Sequence, residues 1–152
     1  MAFNFEDRIV KGSGLYGIDR QARRIAAIRK AAEQKGVDLF INARTDVFFE
    51  HGEDAAQAVS EALDRAKAYA AVGASGFFVP GLVDAALIGR ICEGVTLPVN
   101  LMVMDGVPSN GQLSELGVAR ISYGPIPYIR AMRALGQEAR TTFNEASALP
   151  EG

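Results

Sequence analysis

Phe40-Ile41-Asn42-Ala43 runs directly into Arg44-Thr45-Asp46, and helical sequence resumes within about ten residues. An apolar stretch that turns ionic this abruptly reads as a buried parallel strand emerging into a polar pocket. The same arrangement recurs in weaker form at Phe3-Asn4-Phe5-Glu6-Asp7, Phe77-Phe78-Val79-Pro80-Gly81, Pro98-Val99-Asn100-Leu101-Met102 and Ala119-Arg120-Ile121-Ser122-Tyr123-Gly124. Several strand ends aimed at one place describe an active-site face.

Between these strands the sequence is helical. Ile18, Ala22, Ile25, Ile28 and Ala32 recur at a period of 3.6, and Val59, Leu63, Ala66 and Ala70 do the same. The spacing predicts helices from about Arg20, capped by Asp19, to Gln34 and from about Asp54 to Ala71. Shorter ones follow around Leu87–Ile91 and after Gly111, and a last one is opened by Pro125 or Pro127. One junction repeats: Lys35-Gly36-Val37, Val72-Gly73-Ala74 and Leu116-Gly117-Val118 each stop a helix with glycine and begin a strand. Strand–helix alternation of this kind implies a parallel sheet with covering helices. Five strands could close a flavodoxin-like sheet or form five-eighths of a (β/α)8 barrel, and periodicity does not choose. In either fold the ligand sits at the carboxyl ends of the strands. A single domain over 1–145 with a frayed tail over 146–152 is expected.

The 152 residues suffice for one sizeable core. Net charge is −2 with acids and bases interspersed, and there is no basic stripe of the kind that binds nucleic acid. No apolar run reaches the length of a membrane span, and the first residues do not read as a secretory signal. A cytoplasmic protein acting on a small molecule is the expectation. Arg20, Arg23, Arg24, Arg29 and Lys30 read as a solvated helix face. Cys92, the only cysteine, reads as a small buried hydrophobe, and His51, the only histidine, as a surface loop residue.

Arg44 is the strongest candidate for chemistry. A guanidinium at a strand end is a permanent charge with a planar fork suited to carboxylate or phosphonate; the alternative is an ion pair with Asp46 or Glu6. Glu6 and Asp7 are adjacent, so only one can face a barrel axis, and Glu6 continues the phase of Asn4. The loop Lys11-Gly12-Ser13-Gly14-Leu15-Tyr16-Gly17 lacks the Walker and dinucleotide spacings and reads as a mobile flap. Asn100, an amide inside an apolar strand, needs a partner, either a substrate or a structural hydrogen bond. Ser122 could donate to a substrate oxygen, and Gly124 allows close approach.

Taken together, Asn4-Phe5-Glu6-Asp7, Phe40 to Asp46, Gly76 to Gly81 and Gly117 to Pro125 resemble the isocitrate lyase/phosphoenolpyruvate mutase superfamily, in order and over essentially the whole chain. The resemblance implies the C-terminal part, about five of eight units, of a (β/α)8 barrel. It implies Mg2+ and small α-keto or 2-hydroxy carboxylate substrates. C–C or P–C bonds beside a carboxylate are made or broken through an enolpyruvate-like intermediate. By that likeness Glu6 matches a carboxylate acting on magnesium through water, and Arg44 the arginine that holds substrate carboxylate or phosphonate. Lys11, Gly12, Ser13 and Gly14 match the gating loop, and Asn100 lies near a substrate contact. Homo-oligomers are also implied.

Three departures accompany it. The chain begins where the family's fourth strand would be, without the aspartates that engage magnesium directly. The loop carries no Cys or His where the isocitrate and methylisocitrate lyases have Lys-Cys-Gly-His. Leu101-Met102-Val103, in place of a Thr-Glu pair, follows Asn100. The expected function is therefore a lyase/mutase-type enzyme of the broad branch, with authentic isocitrate or methylisocitrate lyase activity not expected. The alternative is a non-catalytic truncated barrel that binds anions weakly or acts only when paired with another chain.

Overall fold

The computed structural model describes residues 1–51 and 54–147. By its contacts the chain divides into two units, one of Met1–Ser122 and a second that begins at Tyr123. The first unit alternates strand and helix: β1 (Ala2–Glu6), α1 (Ile18–Gln34), β2 (Phe40–Arg44), α2 (Val47–Glu50), α3 (Ala55–Ala71), β3 (Gly76–Phe78), α4 (Ala85–Gly94), β4 (Val99–Met102), α5 (Asn110–Glu115) and β5 (Arg120–Ser122). The second unit contains α6 (Ile126–Ser147). Of the tail expected to fray from 146, Ala146 and Ser147 complete α6, and 148–152 lie outside the described residues.

The five strands are all parallel and lie in sequential order, β1-β2-β3-β4-β5. A flavodoxin-like sheet reverses its order at a switch point and carries helices on both faces. Here there is no reversal, and the helices of the first unit pack on one face. Phe5, Ala43, Phe77 and Val99 are lateral neighbours along that face. They meet Ile25 of α1, Val59, Ala62 and Ala66 of α3, Ile88 and Ile91 of α4 and Leu113 of α5 in a single core. Sequential order with one-sided cover is the arrangement of consecutive units of a (β/α)8 barrel.

The repeated glycine junction has a single geometry. Gly36, Gly73 and Gly117 take φ of 63°, 92° and 89°. At each, the next residue's N–H reaches the carbonyl five residues back: Val37 to Ala32, Ala74 to Tyr69 and Val118 to Leu113, at 2.9, 3.0 and 3.0 Å. This is the Schellman closure, which satisfies the last helical carbonyls and turns the chain into the next strand. The second junction is also pinned from outside. Arg29 of α1 donates to the Gly73 carbonyl from both Nε and Nη2 and to Ser75 Oγ, which accepts from the Ile41 amide. Arg29 is therefore a tie between α1, β2 and the α3–β3 turn rather than part of a solvated face.

Two expectations need correction. Helix α1 begins at Ile18 with Gly17 in the cap position, and the Gln21 amide donates to the Gly17 carbonyl. Asp19 lies inside the first turn, where its charge opposes the positive helix end. The short α2 interrupts what reads as loop; four residues are too few to show a period. By contrast Asp54 caps α3, accepting from the Gln57 amide. In the second unit, α6 opens on the bonds Ile126 N–H to Tyr123 carbonyl and Ile129 N–H to Pro125 carbonyl.

Candidate functional site

The sheet face opposite those helices is the polar one. Glu6, Arg44, Phe78, Asn100 and Arg120 are successive lateral partners and share it as one row. Asn4, Asn42 and Gly76 form the row before, and Met102 and Ser122 lie one step beyond Asn100 and Arg120. Asn42 donates to Asn4 Oδ1 at 2.8 Å. A Cβ on Gly76 would stand 2.9 Å from Asn42 Oδ1 and 3.0 Å from the Phe40 ring, so only glycine lets these side chains lie across β3. All four of Glu6, Arg44, Asn100 and Ser122 occupy this face, and within the set Glu6 and Arg44 are the pair in direct contact.

Arg44 makes both ion pairs that its position allows. Its Nε and Nη2 donate to Asp46 Oδ1 and Oδ2 at 2.6 and 3.1 Å, and its Nη1 stands 3.5 Å from Glu6 Oε2. Its Cζ lies 5.6 Å from the Phe78 ring centre, over the neighbouring strand. Asp46 thus fixes one edge of the guanidinium, and the Nη1–Nη2 edge faces Glu6 through the longer contact at Nη1. Asp46 itself is 1% exposed and also accepts from Arg8 Nε at 3.1 Å. Arg8 continues to Glu50 Oε1 at 2.6 Å. The result is an alternating ladder, Glu6–Arg44–Asp46–Arg8–Glu50, from the ends of β1 and β2 to the end of α2.

Asn100 is 2% exposed, and neither of its amide atoms has a hydrogen-bond partner. An amide buried in this way costs on the order of 1–3 kcal/mol. The expected structural partner is therefore absent among the described residues. Ser122 is half-buried, and its carbonyl accepts from the Val103 amide.

Asp7 turns the opposite way from Glu6, as strand phase requires. Its carboxylate is fully buried, accepting from Arg65 Nη1 at 3.0 Å, from the Tyr69 hydroxyl at 3.1 Å and from the Asp46 amide at 3.1 Å. Burial pushes the Asp7 carboxyl above its ordinary range despite the lowering influence of Arg65, and pushes the Tyr69 hydroxyl up as well. Arg65, 4% exposed, also donates to Glu61. Sequence reasoning missed this network. Its signal was an arginine one turn from Ala62 and Tyr69 on the buried side of α3.

Residues 7–16 form a small antiparallel hairpin. The Ile9 amide donates to the Gly14 carbonyl, the Tyr16 amide to the Asp7 carbonyl, and Arg8 bridges Leu15. Lys11, Gly12, Ser13 and Gly14 make its tip, with Lys11 and Gly14 at φ of 62° and 73°. Its return stem is anchored: Arg65 donates to the Tyr16 carbonyl at 2.9 Å, and the Arg20 and Arg24 guanidiniums lie 4.5 and 4.4 Å from the Tyr16 ring centre. These two arginines therefore pack rather than simply face water.

His51, expected on the surface, is partly buried and hydrogen-bonded through Nε2 to Glu61 Oε2 at 2.7 Å. Cys92 is half-buried, and burial, helped by Glu93, raises its thiol above the ordinary value, which fits packing rather than reactivity. For magnesium the described residues supply no ready ligand set. Among the described residues no three His, Cys, Asp or Glu side chains converge on a metal position. On the polar face Glu6 is tied to Arg44, and Asp46 is filled by two guanidiniums. No helix among the described residues is long and apolar enough to cross a membrane.

Comparison with known proteins agrees with the fold. The chain is 33% identical over 117 residues to oxaloacetate decarboxylase of Pseudomonas savastanoi pv. phaseolicola, a match covering 74% of this chain and 38% of that protein. A crystal structure from Burkholderia cenocepacia J2315, provisionally named a phosphonomutase, superposes with a TM-score of 0.87 at 46% identity. That match covers 93% of this chain and 57% of the other. The fold is also that of 2,3-dimethylmalate lyase, described as a phosphoenolpyruvate mutase/isocitrate lyase superfamily member, with a TM-score of 0.79 at 24% identity over 99% of this chain and 53% of that one. The chain thus spans roughly half the length of the proteins it matches, or less. The sequence profile of phosphoenolpyruvate phosphomutase matches residues 1–143, and the chain belongs to that family of lyases and mutases, as part of a (β/α)8 barrel.

Proposed function

We propose that these residues form the anion-binding side of a lyase/mutase-type active site for small α-keto or 2-hydroxy carboxylates, or the corresponding phosphonates. The observation that carries the reading is the Nη1–Nη2 edge of Arg44, held in place by Asp46 and met at 3.5 Å by the exposed Glu6 carboxylate, which a substrate anion would displace, on the same sheet face as the unpartnered Asn100 amide. In this reading Arg44 grips the substrate carboxylate or phosphonate end-on. Asn100 donates to the oxygen on which charge develops as an enolate forms, and the Ser122 hydroxyl lines the pocket. Fixed donors of this kind stabilise developing charge because they need no reorganisation. Names of relatives, oxaloacetate decarboxylase and phosphonomutase, support the substrate class.

Magnesium belongs to the proposal as the group that would polarise the same oxygen, with Glu6 acting through water. Its direct ligands would have to come from outside the residues described, so no step is derived through it. The lack of a ligand cluster favours a second reading for the isolated polypeptide: an anion-binding part that turns over substrate only when another segment or chain completes the barrel. Homo-oligomerisation fits either reading, because the outer edges of β1 and β5 leave backbone groups unpaired within the sheet.

The test is calorimetry with oxalate, a planar dianion resembling enolised pyruvate, together with oxaloacetate turnover with and without magnesium. Oxalate binding that weakens about ten- to a hundredfold in Arg44→Met, with weak or undetectable turnover, is expected. Binding unaffected by Arg44→Met overturns the site. Turnover matching an intact family enzyme overturns the missing-ligand argument.

A further inference from the structure

We propose that Asp46 is a positioning residue that couples the hairpin of residues 8–15 to Arg44. The hairpin's first stem residue, Arg8, and the strand-end Arg44 donate to the same carboxylate. They share one of its oxygens: Arg8 Nε and Arg44 Nη2 each stand 3.1 Å from Asp46 Oδ2. Asp46 is 1% exposed, so water and salt screen these contacts poorly. It is also held from the backbone side, because its own amide donates to the buried Asp7 carboxylate. That anchor fixes the backbone at Asp46, and the shared Oδ2 makes the two guanidiniums competitors for one acceptor, so a tighter bond to one comes at the expense of the other.

The consequence follows by linkage. An anion on the Nη1–Nη2 edge of Arg44 draws that guanidinium's charge away from Asp46. Asp46 then holds Arg8 more tightly, and Arg8 fixes the outgoing stem of the hairpin. The return stem is already fixed at Tyr16 by Arg65 and Asp7. Anion binding at the strand ends therefore tightens the hairpin, and the hairpin's contact in turn favours the anion, because coupling is reciprocal. Only this bound half of the inference rests on the anion-binding role proposed for Arg44.

The ligand-free half is tested on the 152-residue chain with Arg8→Met. The Arg8 side chain is 41% exposed, so its loss leaves the core intact. With the Asp46 carboxylate given wholly to Arg44, hydrogen exchange at Arg44 Nε–H, which donates to Oδ1 of that carboxylate, should slow about threefold when followed by NMR, the size expected for neighbours in one charged network. Exchange at the Phe77 and Val79 amides, inside the sheet, should not change. Arg8→Lys, which keeps a cation at the stem, should restore most of the original rate. A purely structural Asp46 would leave Arg44 Nε–H unmoved in Arg8→Met, and that result overturns the coupling, as does an equal shift in Arg8→Lys.

In the bound arm, oxalate should slow exchange of the Ile9 and Gly12 amides about threefold in the unsubstituted chain and not in Arg8→Met. Oxalate binding without a response at those amides also overturns the coupling. If oxalate does not bind at all, the anion-binding reading of Arg44 falls, and the ligand-free comparison still decides whether Asp46 couples the two arginines.

Discussion

Glu6 and Asp7 are neighbours in sequence and belong to two charge networks with opposite characters. Asp7, with Arg65 and Tyr69, is sealed inside the helix layer; all three are 4% exposed or less, and every partner is supplied by the chain. Glu6, with Arg44, Asp46 and Arg8, lies across the strand ends, and there one guanidinium edge meets a 3.5 Å contact with the exposed Glu6 carboxylate. The same residue types make both. Burial and completeness separate them: a closed network locks β1 to α3, whereas an open one has donors to spend on a ligand. A perturbed carboxyl by itself would have pointed to Asp7 as the site, and the completeness of its bonding argues against that.

The sharpest way to break this distinction is to remove one cation from each network. Arg65→Met leaves the Asp7 carboxylate buried with the Tyr69 hydroxyl and one amide, and should cost about 3–5 kcal/mol in denaturant unfolding. Arg44→Met leaves Asp46 paired with Arg8 and should cost no more than about 1 kcal/mol. Its effect should appear in binding instead, as a loss of about ten- to a hundredfold in oxalate affinity, the range for a charge-assisted hydrogen bond. Equal destabilisation by the two substitutions would erase the difference between a sealed and an open network.

Asn100 sharpens the comparison further, because it is buried like the first network and unsatisfied like the second. Replacing it with Leu removes the desolvated amide. Stability should rise by about 1 kcal/mol, part of the penalty for an unpartnered buried polar group. Oxalate affinity should fall at the same time. A structural amide would give the opposite result, a loss of stability with no change in binding.

The fold was largely legible in the sequence because its signals are local. Each Gly36-type junction carries its own turn chemistry, and the apolar rows of α1 and α3 repeat within one helix. The short α2 was not legible, since Val47–Glu50 spans about one helical turn. At the site, the sidedness of Glu6 and Asp7 followed from strand phase, which is also local. The pairings did not follow, because Arg8 meets Asp46 across 38 positions and Arg65 meets Asp7 across 58. Nothing near Arg8 in the sequence distinguishes a stem residue tied to a buried carboxylate from a solvated arginine. The ordering of strands β1 to β5 sits between these cases: alternation implied parallel strands, and sequential order became an expectation through the family likeness.

The smallest expected effect lies within the sealed network, where two carboxyls should respond to pH with opposite signs. For Glu61, burial is the largest single influence and raises the carboxyl. Hydrogen bonds from His51 and Arg65 outweigh it, and the folded-state value lies below the ordinary one. Such a group contributes stability that is present above its unfolded value and lost as pH falls through the folded one. Asp7 lies above its ordinary range because burial wins. Its contribution is full below the unfolded value and lost as pH rises through the folded one. Comparing thermal unfolding of the unsubstituted chain with Glu61→Gln between about pH 6 and about pH 3 isolates the first term. The difference should favour the unsubstituted chain at the upper end, by less than about 1 kcal/mol because Glu61 is partly exposed, and shrink toward the lower end. Asp7→Asn, which keeps the size and an acceptor oxygen, should show the reverse trend: least harmful where Asp7 would be ionised and most harmful where it would be protonated. Parallel trends in the two variants would mean that burial does not raise the Asp7 carboxyl, and that Arg65 dominates both of its acidic partners alike.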